Sequence, residues 1–250
     1  MSRRLSLWAA AALAFACLGL GTCALTAAPS GAQRAPDAAH GRELFVSACS
    51  ACHGMDARGI PGRGPNLRGV GALAADFYLR TGRMPLAHPE DYPVRAHSVY
   101  SPADQAAMVA YIGSFGGPPI PQVDAAAGSL PEGKQLFAEN CAGCHQIAGR
   151  GGIVTPNVIA PSLANDVKPV DVAEAVRIGP YVMPRFSGRQ LSQAQVQDLA
   201  RYVQHIQNLP NRGGWGIGNL GPIPEGLVLW GIGIGVLVLV ARLIGERTAP

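Results

Sequence analysis

Charged residues are scarce in this sequence, and neither sign of charge is in clear excess. Asp, Glu, Lys and Arg make up only 14% of the 250 residues, whereas 48% are hydrophobic. That share of charged residues is low for a purely soluble protein. The net charge of +4 is modest and spread along the chain, so nothing in the composition indicates a nucleic-acid partner. The composition instead favours a protein with a membrane-embedded part.

Cysteine is equally scarce outside two short motifs. Four of the 6 Cys belong to C-x-x-C-H pentapeptides at residues 49–53 and 141–145. The other two, Cys17 and Cys23, lie in an apolar N-terminal stretch, where they are most simply small apolar residues. No thiol therefore remains for a disulfide between soluble domains.

The two pentapeptides carry the attachment signature of c-type haem. Thiols three residues apart lie on one face of a helical turn, where each can form a thioether with a haem vinyl group, and the adjacent His can bind the iron. A pair of zinc knuckles, or one zinc site with four cysteines, is the alternative, but a zinc site does not require a His directly after the second Cys. We therefore expect two covalently bound haem c groups. The residues assigned to them are Cys49, Cys52 and His53 in the first motif and Cys141, Cys144 and His145 in the second.

A proline loop follows each motif. Gly64-Pro65-Asn66-Leu67 resembles the Gly-Pro-x-Leu segment with which c-type cytochromes offer a backbone carbonyl to the ligating His. Such a hydrogen bond fixes the tautomer of the ring and makes the ligand more basic. Pro161 occupies the same place in the second half, with Ala160 where the first has Gly64. We therefore expect the carbonyls of Pro65 and Pro161 to orient the two histidines.

A methionine in a loop then follows and is the candidate for the second axial ligand of each iron. Met84 and Met183 are each followed directly by Pro. A thioether sulfur stabilises reduced iron, so ligation by His and Met raises the reduction potential. Met108 lies in an apolar helical stripe and is predicted to be core, whereas Met55 is too close to His53 to reach the opposite face. The remaining alternatives to Met84 are His88 and His97.

The second half of the chain repeats the first at a nearly constant offset, which indicates a tandem duplication. A helix is predicted to close each unit, capped by Ser101 in the first, where it should end at residues 116–117, and by Ser192 with Gln195 in the second. We expect a mainly α protein with units at 40–116 and 132–209, joined by a linker at 117–131. The matched residues are Gly41, Leu44 and Phe45 with Gly133, Leu136 and Phe137, and Tyr111 with Tyr202.

Both ends of the chain are apolar. Residues 1–28 have the pattern of a signal peptide or an N-terminal membrane anchor, and the sequence leaves both open, as it does lipidation at Cys23. A tether is expected at 29–39, a connector containing Trp215 at 210–225, a transmembrane helix at 226–244 and a tail at 245–250. Arginines beside both apolar segments place the termini in the cytoplasm and the haem units outside it. Attachment of c-type haem outside the cytoplasmic membrane agrees with that orientation.

In this tandem order, the motifs and the anchor resemble the dihaem cytochrome cc subunit of the actinobacterial menaquinol–cytochrome c reductase, the cytochrome bcc complex. The resemblance rests on the C-x-x-C-H pairs and on residues 82–85, 183–187 and 221–226. It implies two class I cytochrome c domains in the cell membrane that relay electrons from a Rieske iron–sulfur subunit to a terminal oxidase. The cytochrome b subunit would be a further partner, and the chain itself would perform no bond chemistry within this translocase.

Two other functions remain open from the sequence. A membrane-anchored dihaem carrier could serve a periplasmic dehydrogenase or another oxidase. A dihaem peroxidase would need one iron with a free position, although both units contain a candidate Met ligand.

Overall fold

The computed structural model describes residues 36–156, 158–208 and 222–248. The expected signal or anchor at 1–28, with Cys17 and Cys23, lies outside the described residues. So do most of the expected tether and most of the expected connector, including Trp215.

The first unit is helical, as expected. Helix α1 packs across α4, and α3 packs beside α4. The side chain of Asp37 caps α1, so helix begins within the segment expected to be a tether. The helices are α1 (Ala38–Ala48), α2 (Ser50–His53), α3 (Gly71–Arg80) and α4 (Pro102–Gly113).

Helix α4 begins at the predicted cap but ends earlier than predicted. The side chain of Ser101 accepts a hydrogen bond from the backbone N–H of Asp104, as expected of an N-cap. The expected end at residues 116–117 is wrong, because the last helical residue is Gly113. Beyond it, the N–H of Phe115 donates to the carbonyl of Ile112, a tightened turn that satisfies the terminal carbonyls before the glycines are reached.

The second unit repeats this arrangement and adds a hairpin. Helix α8 packs on α5 and α7, and the capping box between Ser192 and Gln195 is present. The short hairpin was not predicted, and in it Ile153 lies opposite Ile159. The elements are a 3₁₀ turn (Ala125–Ala127), α5 (Leu130–Asn140), α6 (Ala142–His145), β1 (Gly152–Thr155), β2 (Val158–Ala160), α7 (Pro169–Ile178) and α8 (Gln193–Gln207).

In each unit a glycine lies where the first helix crosses the last helix, and this explains why Gly41 and Gly133 match in the repeat. A Cβ at Gly41 would lie 2.0 Å from the carbonyl oxygen of Ala107, and a Cβ at Gly133 would lie 2.0 Å from that of Asp198. The two helix backbones therefore approach each other in a way that no larger residue permits. One helical turn further on, Phe45 contacts Tyr111 and Phe137 contacts Tyr202, with ring centroids 5.4 and 5.0 Å apart.

The two units pack together through α3 and α7. Arg80, at the end of α3, donates hydrogen bonds to Asp76 on its own helix and to Asp171 and Glu174 on α7. Burial alone would lower the pKa of Arg80, but its hydrogen bonds to Asp171 and Asp76 raise it. A second arginine, Arg95, donates to the carbonyl of Asp166. These contacts hold the first unit against the second.

The last described element, α9 (Pro222–Thr248), is long and apolar enough to cross a membrane. The most apolar 18-residue window within residues 226–246 has a mean hydropathy of 2.5, and none of that window is buried against the residues that the structure describes. An apolar helix that no other described element covers needs a membrane, a partner or another part of the chain to bury it. The expected span at 226–244 falls inside this helix.

Candidate haem-binding sites

The first motif forms the short helix α2 directly after α1, with Cys49 at the junction. The backbone N–H of His53 donates to the carbonyl of Cys49 over 2.9 Å, so the motif makes a single helical turn. His53 is buried, and its Nδ1 lies 2.8 Å from the carbonyl oxygen of Pro65. Because a carbonyl can only accept, Nδ1 carries the proton and Nε2 keeps a free lone pair for a metal.

The proline loop reaches His53 because glycine lets it pass close to the motif. A Cβ at Gly64 would lie 2.8 Å from the carbonyl oxygen of Cys52. Gly59 has a φ of +84°, and a Cβ there would lie 2.7 Å from the backbone nitrogen of Asn66. These contacts explain the glycines that surround Pro65 in the sequence.

Met84 lies in the loop after α3, where its backbone N–H donates to the carbonyl of Tyr78 over 3.1 Å. Its side chain is partly buried and packs against the core of the first unit. The competing residues lie elsewhere: Met108 is fully buried in that core, Met55 is 62% exposed, and His88 and His97 are exposed. Among these candidates, Met84 is the one that is partly buried and packs against the core from a loop.

The second motif, in α6, has the same local geometry. His145 Nδ1 lies 3.0 Å from the carbonyl oxygen of Pro161, and burial lowers the pKa of this histidine. A lowered pKa keeps the imidazole neutral, which is the form that binds iron. Tyr202 Oη donates to the carbonyl of Ile147 over 2.9 Å and so ties α8 to the loop after the motif.

A cavity of about 370 Å³ opens beside this second motif. That volume falls within the range of about 300–1,000 Å³ typical of cofactor sites. Its walls bring together residues that the sequence assigned to one haem, namely Cys141, Cys144, His145, Pro161 and Met183. The rest of its lining is largely apolar, so the residues present fit a flat, mostly hydrophobic macrocycle.

The first unit supplies part of the wall of this cavity, and sequence reasoning missed that contribution. Phe77 reaches it from α3 and Thr81 from the end of that helix, and Arg83, Tyr92 and Arg95 reach it from the following loop. Arg83 belongs to a segment that carried the family resemblance, but no local pattern shows that it lies against the other unit. A contact between residues that lie far apart in the chain produces no periodic pattern in the sequence.

The described residues do not assemble a zinc site around the motif cysteines. Burial raises the pKa of Cys49 to about 11 and that of Cys141 to about 11. A zinc site binds thiolates and needs about four converging ligands, and within the described ranges no three His, Cys, Asp or Glu side chains converge in that way. The four motif thiols are free of disulfides.

Arg83 is the least satisfied charged group on the cavity wall. Its guanidinium stacks over the ring of Phe77 at 4.6 Å, and its Nη1 is buried without a hydrogen-bond partner among the residues that the structure describes. Burial lowers the pKa of Arg83, and the nearby charge of Arg95 lowers it further. Two arginines therefore lie close together on this side of the cavity, with Asp171 as the acidic residue of the lining.

Comparisons with known proteins match both units. The family model for "Cytochrome c" matches residues 38–115, and the model for "Cytochrome C oxidase, cbb3-type, subunit III" matches residues 128–203. The "Cytochrome bc1 complex cytochrome c subunit" of Corynebacterium diphtheriae is 36% identical over 231 residues, which cover 83% of this chain and 80% of that protein. The protein of the same name from Mycobacterium tuberculosis is 36% identical over 217 residues, 83% of this chain and 77% of its own length.

A more distant relative is the "Cbb3-type cytochrome c oxidase subunit FixP" of a Bradyrhizobium species. It is 29% identical over 185 residues, which cover 67% of this chain and 60% of that protein. The expectation of two tandem cytochrome c domains is confirmed by these matches and by the helical fold.

Proposed function

The chain belongs to the family of cytochrome c subunits of the cytochrome bc1 complex, and from that premise we propose that it relays electrons through two covalently bound haem c groups. The electrons would come from a Rieske iron–sulfur subunit and go to a terminal cytochrome c oxidase. The chain would then be the electron-transfer subunit of a menaquinol–cytochrome c reductase, a translocase, with cytochrome b as a further partner. The observation that carries the proposal is the repeated set of a C-x-x-C-H turn, a histidine bonded to a proline carbonyl and a partly buried Met.

Each residue of this set has a proposed task. The cysteines attach the haem groups, and the carbonyls of Pro65 and Pro161 hold the two histidines with Nε2 available for iron. The bound groups would supply one-electron carriers. The proposed attachment residues are Cys49, Cys52, Cys141 and Cys144, and the proposed axial ligands are His53, Met84, His145 and Met183.

Met84 and Met183, as proposed iron ligands, also bear on whether the chain could be a dihaem peroxidase. Each sulfur would bind iron together with a histidine and so leave no place on the iron for a substrate. Ligation of both irons in this way would disfavour a dihaem peroxidase, which needs one open position. The chain would hold and orient its cofactors and exclude water from them without catalysing bond chemistry.

Helix α3 contacts both units, and this supports the proposal that electrons pass between the two sites. Leu79 packs in the core of the first unit, whereas Phe77 lines the cavity of the second. Arg83 also lines that cavity, and the next residue is Met84. A single helix and its following loop therefore contact both proposed sites. We place the donor at the first unit and the acceptor at the second, following the order that the resemblance implies.

Helix α9 would hold the two units at the membrane. Its apolar residues 226–246 are long enough for one span, and Arg242 near its end can extend its charge towards the lipid headgroups. We propose that the C-terminus lies in the cytoplasm and the haem units lie outside it, because Arg242 and Arg247 follow the apolar run.

Native purification tests the proposed assembly. A tag placed on the chain in its own organism, followed by mild detergent extraction and mass spectrometry, should recover a cytochrome b subunit, a Rieske subunit and oxidase subunits. A tagged unrelated single-span membrane protein controls for non-specific recovery. Recovery of the haem-loaded chain without cytochrome b and Rieske subunits would contradict the assignment.

A second function has a specific observation in its favour. The match of residues 128–203 to subunit III of cbb3-type oxidases, together with the FixP relative, would also suit a membrane-anchored carrier built into an oxidase. A carrier for a periplasmic dehydrogenase belongs to the same class. The same purification separates these functions, because an oxidase-bound carrier should bring down oxidase subunits alone.

A further inference from the structure

Two arginines of the first unit lie on the wall of the second unit's cavity. Arg83 follows α3, and Arg95 lies further along the same loop. The same cavity is bordered by Cys141, His145 and Met183, the residues proposed to hold the second haem. The second site is therefore built from both units.

The charge of Asp171 acts on Arg83, but one buried donor of Arg83 has no acceptor among the described residues. Its Nη1 is buried without a hydrogen-bond partner in the described part of the chain, and its guanidinium face is occupied by the ring of Phe77. A buried donor without an acceptor is unfavourable, and a buried charge without a partner is more so. A bound group that carries an acceptor would satisfy this donor.

Arg95 is already partly paired, because its Nη2 donates to the carbonyl of Asp166. Its Nη2 lies 3.5 Å from a carboxylate oxygen of Asp166 and 3.6 Å from one of Asp171. Asp171 is the acidic residue on the cavity wall, and Arg80 already engages it. The other titratable side chains that line the cavity are Tyr92, Tyr181 and His145, together with the motif thiols Cys141 and Cys144.

Haem carries two propionate groups, each a carboxylate at neutral pH. Guanidinium groups bind carboxylates with strong, directional hydrogen bonds. We propose that Arg83, assisted by Arg95, binds the propionates of the haem held by the second unit, so that the first unit completes the second haem site. This inference rests on the proposed function, because it requires haem in the second unit.

The proposal has an electrostatic consequence. Reduction adds one negative charge to the haem, so a cation bound at its propionates favours the reduced state and raises the potential. Loss of the cation lowers the potential of the second haem and leaves the first largely unchanged. It also raises the pKa of the freed propionate, so that the potential of the variant falls more steeply as pH rises. A residue that only holds the units together would not produce this pH dependence.

The test is a redox titration of the detergent-solubilised, haem-loaded chain at several pH values. The midpoint of the second haem is identified as the one lost in a Cys141→Ala/Cys144→Ala chain. In Arg83→Gln we expect the equilibrium constant for reducing that haem to fall about tenfold, a shift of about 59 mV for a one-electron step. Arg95→Gln should shift the same midpoint less, and it serves as a second variant because it lies away from Met84.

Arg68→Gln is the matched control. Arg68 also stacks over an aromatic ring, that of Phe115 at 4.9 Å, but it does not line the second cavity. It should leave the second midpoint unchanged. An unchanged second midpoint in both Arg83→Gln and Arg95→Gln would overturn the inference while leaving the proposed relay intact. If the Cys141→Ala/Cys144→Ala chain still carried its full haem content, the proposed function itself would fail.

Discussion

Substitution of Gly133 by Ala should separate the two helices that position the second haem motif. An added Cβ would lie 2.0 Å from the carbonyl oxygen of Asp198 and 2.7 Å from its carbonyl carbon. A relaxed contact between carbon and oxygen is about 3.3 Å or longer, so α5 and α8 must move apart by roughly 1 Å. Both obstructing atoms belong to the backbone, and no side-chain rotation can relieve the clash. Because α5 leads directly into Cys141, the displacement reaches the haem motif.

The expected loss follows from two opposing effects. Overpacking of this kind destabilises a core by about 1–3 kcal/mol. Replacing Gly by Ala inside a helix stabilises that helix by up to about 1 kcal/mol. Because backbone atoms cause the clash, we expect an overpacking loss of about 3 kcal/mol. The gain of about 1 kcal/mol in helix stability leaves a net loss of about 2 kcal/mol in the free energy of unfolding.

Urea unfolding of the haem-loaded chain in detergent, followed by circular dichroism, measures this loss. Gly143→Ala is the matched control: a Cβ there meets nothing within 4 Å, and Ala51 occupies the same position of the first motif. The control should unfold at the wild-type urea concentration or slightly above it. If Gly133→Ala were as stable as the wild type, the close helix crossing would be refuted.

Three further predictions concern the contact between the units and the iron ligands. Burial raises the pKa of Glu174 to about 9, with Asp76 adding to the effect. Between about pH 4.5 and pH 9 the folded chain therefore holds a proton that the unfolded chain releases, and the free energy of unfolding should fall as pH rises, by at most about 1.4 kcal/mol per pH unit. Glu174→Gln should flatten this slope in urea titrations, and an unchanged slope would contradict the burial argument. Arg80→Ala should cost about 3–5 kcal/mol because it leaves the carboxylates of Asp171 and Asp76 without their cation. The exposed Arg58→Ala should cost less than about 1 kcal/mol, and equal losses would count against the interface. Substitution of Met84 or Met183 by Ala should each lower one midpoint potential and spare the other, and a redox titration without any shift would refute the ligand assignment.

Local patterns predicted the parts of the fold that local interactions determine. The C-x-x-C-H turns, the caps at Ser101 and Ser192 and the hydrogen bonds to the carbonyls of Pro65 and Pro161 are all present. Each depends on residues within about one turn or one loop of each other. The repetition of the motif at a nearly constant offset then predicted two units of similar architecture.

Non-local features could not be predicted in this way. The contact of Arg80 with Asp171 and Glu174 joins residues from different units, and nothing in either stretch indicates its partner. The hairpin of residues 152–160 is too short for a strand pattern to be recognised. The end of α4 at Gly113 was missed because the turn tightens before the glycines that usually mark a helix end.

Covalent haem content tests the central claim most directly, namely that this chain holds two redox groups in series. Mass spectrometry of the denatured chain, with thioether-bound haem retained, should find two haems in the wild type. It should find one in Cys49→Ala/Cys52→Ala and one in Cys141→Ala/Cys144→Ala. A wild-type chain with a single haem or none, or a double variant that retains both, would contradict the account.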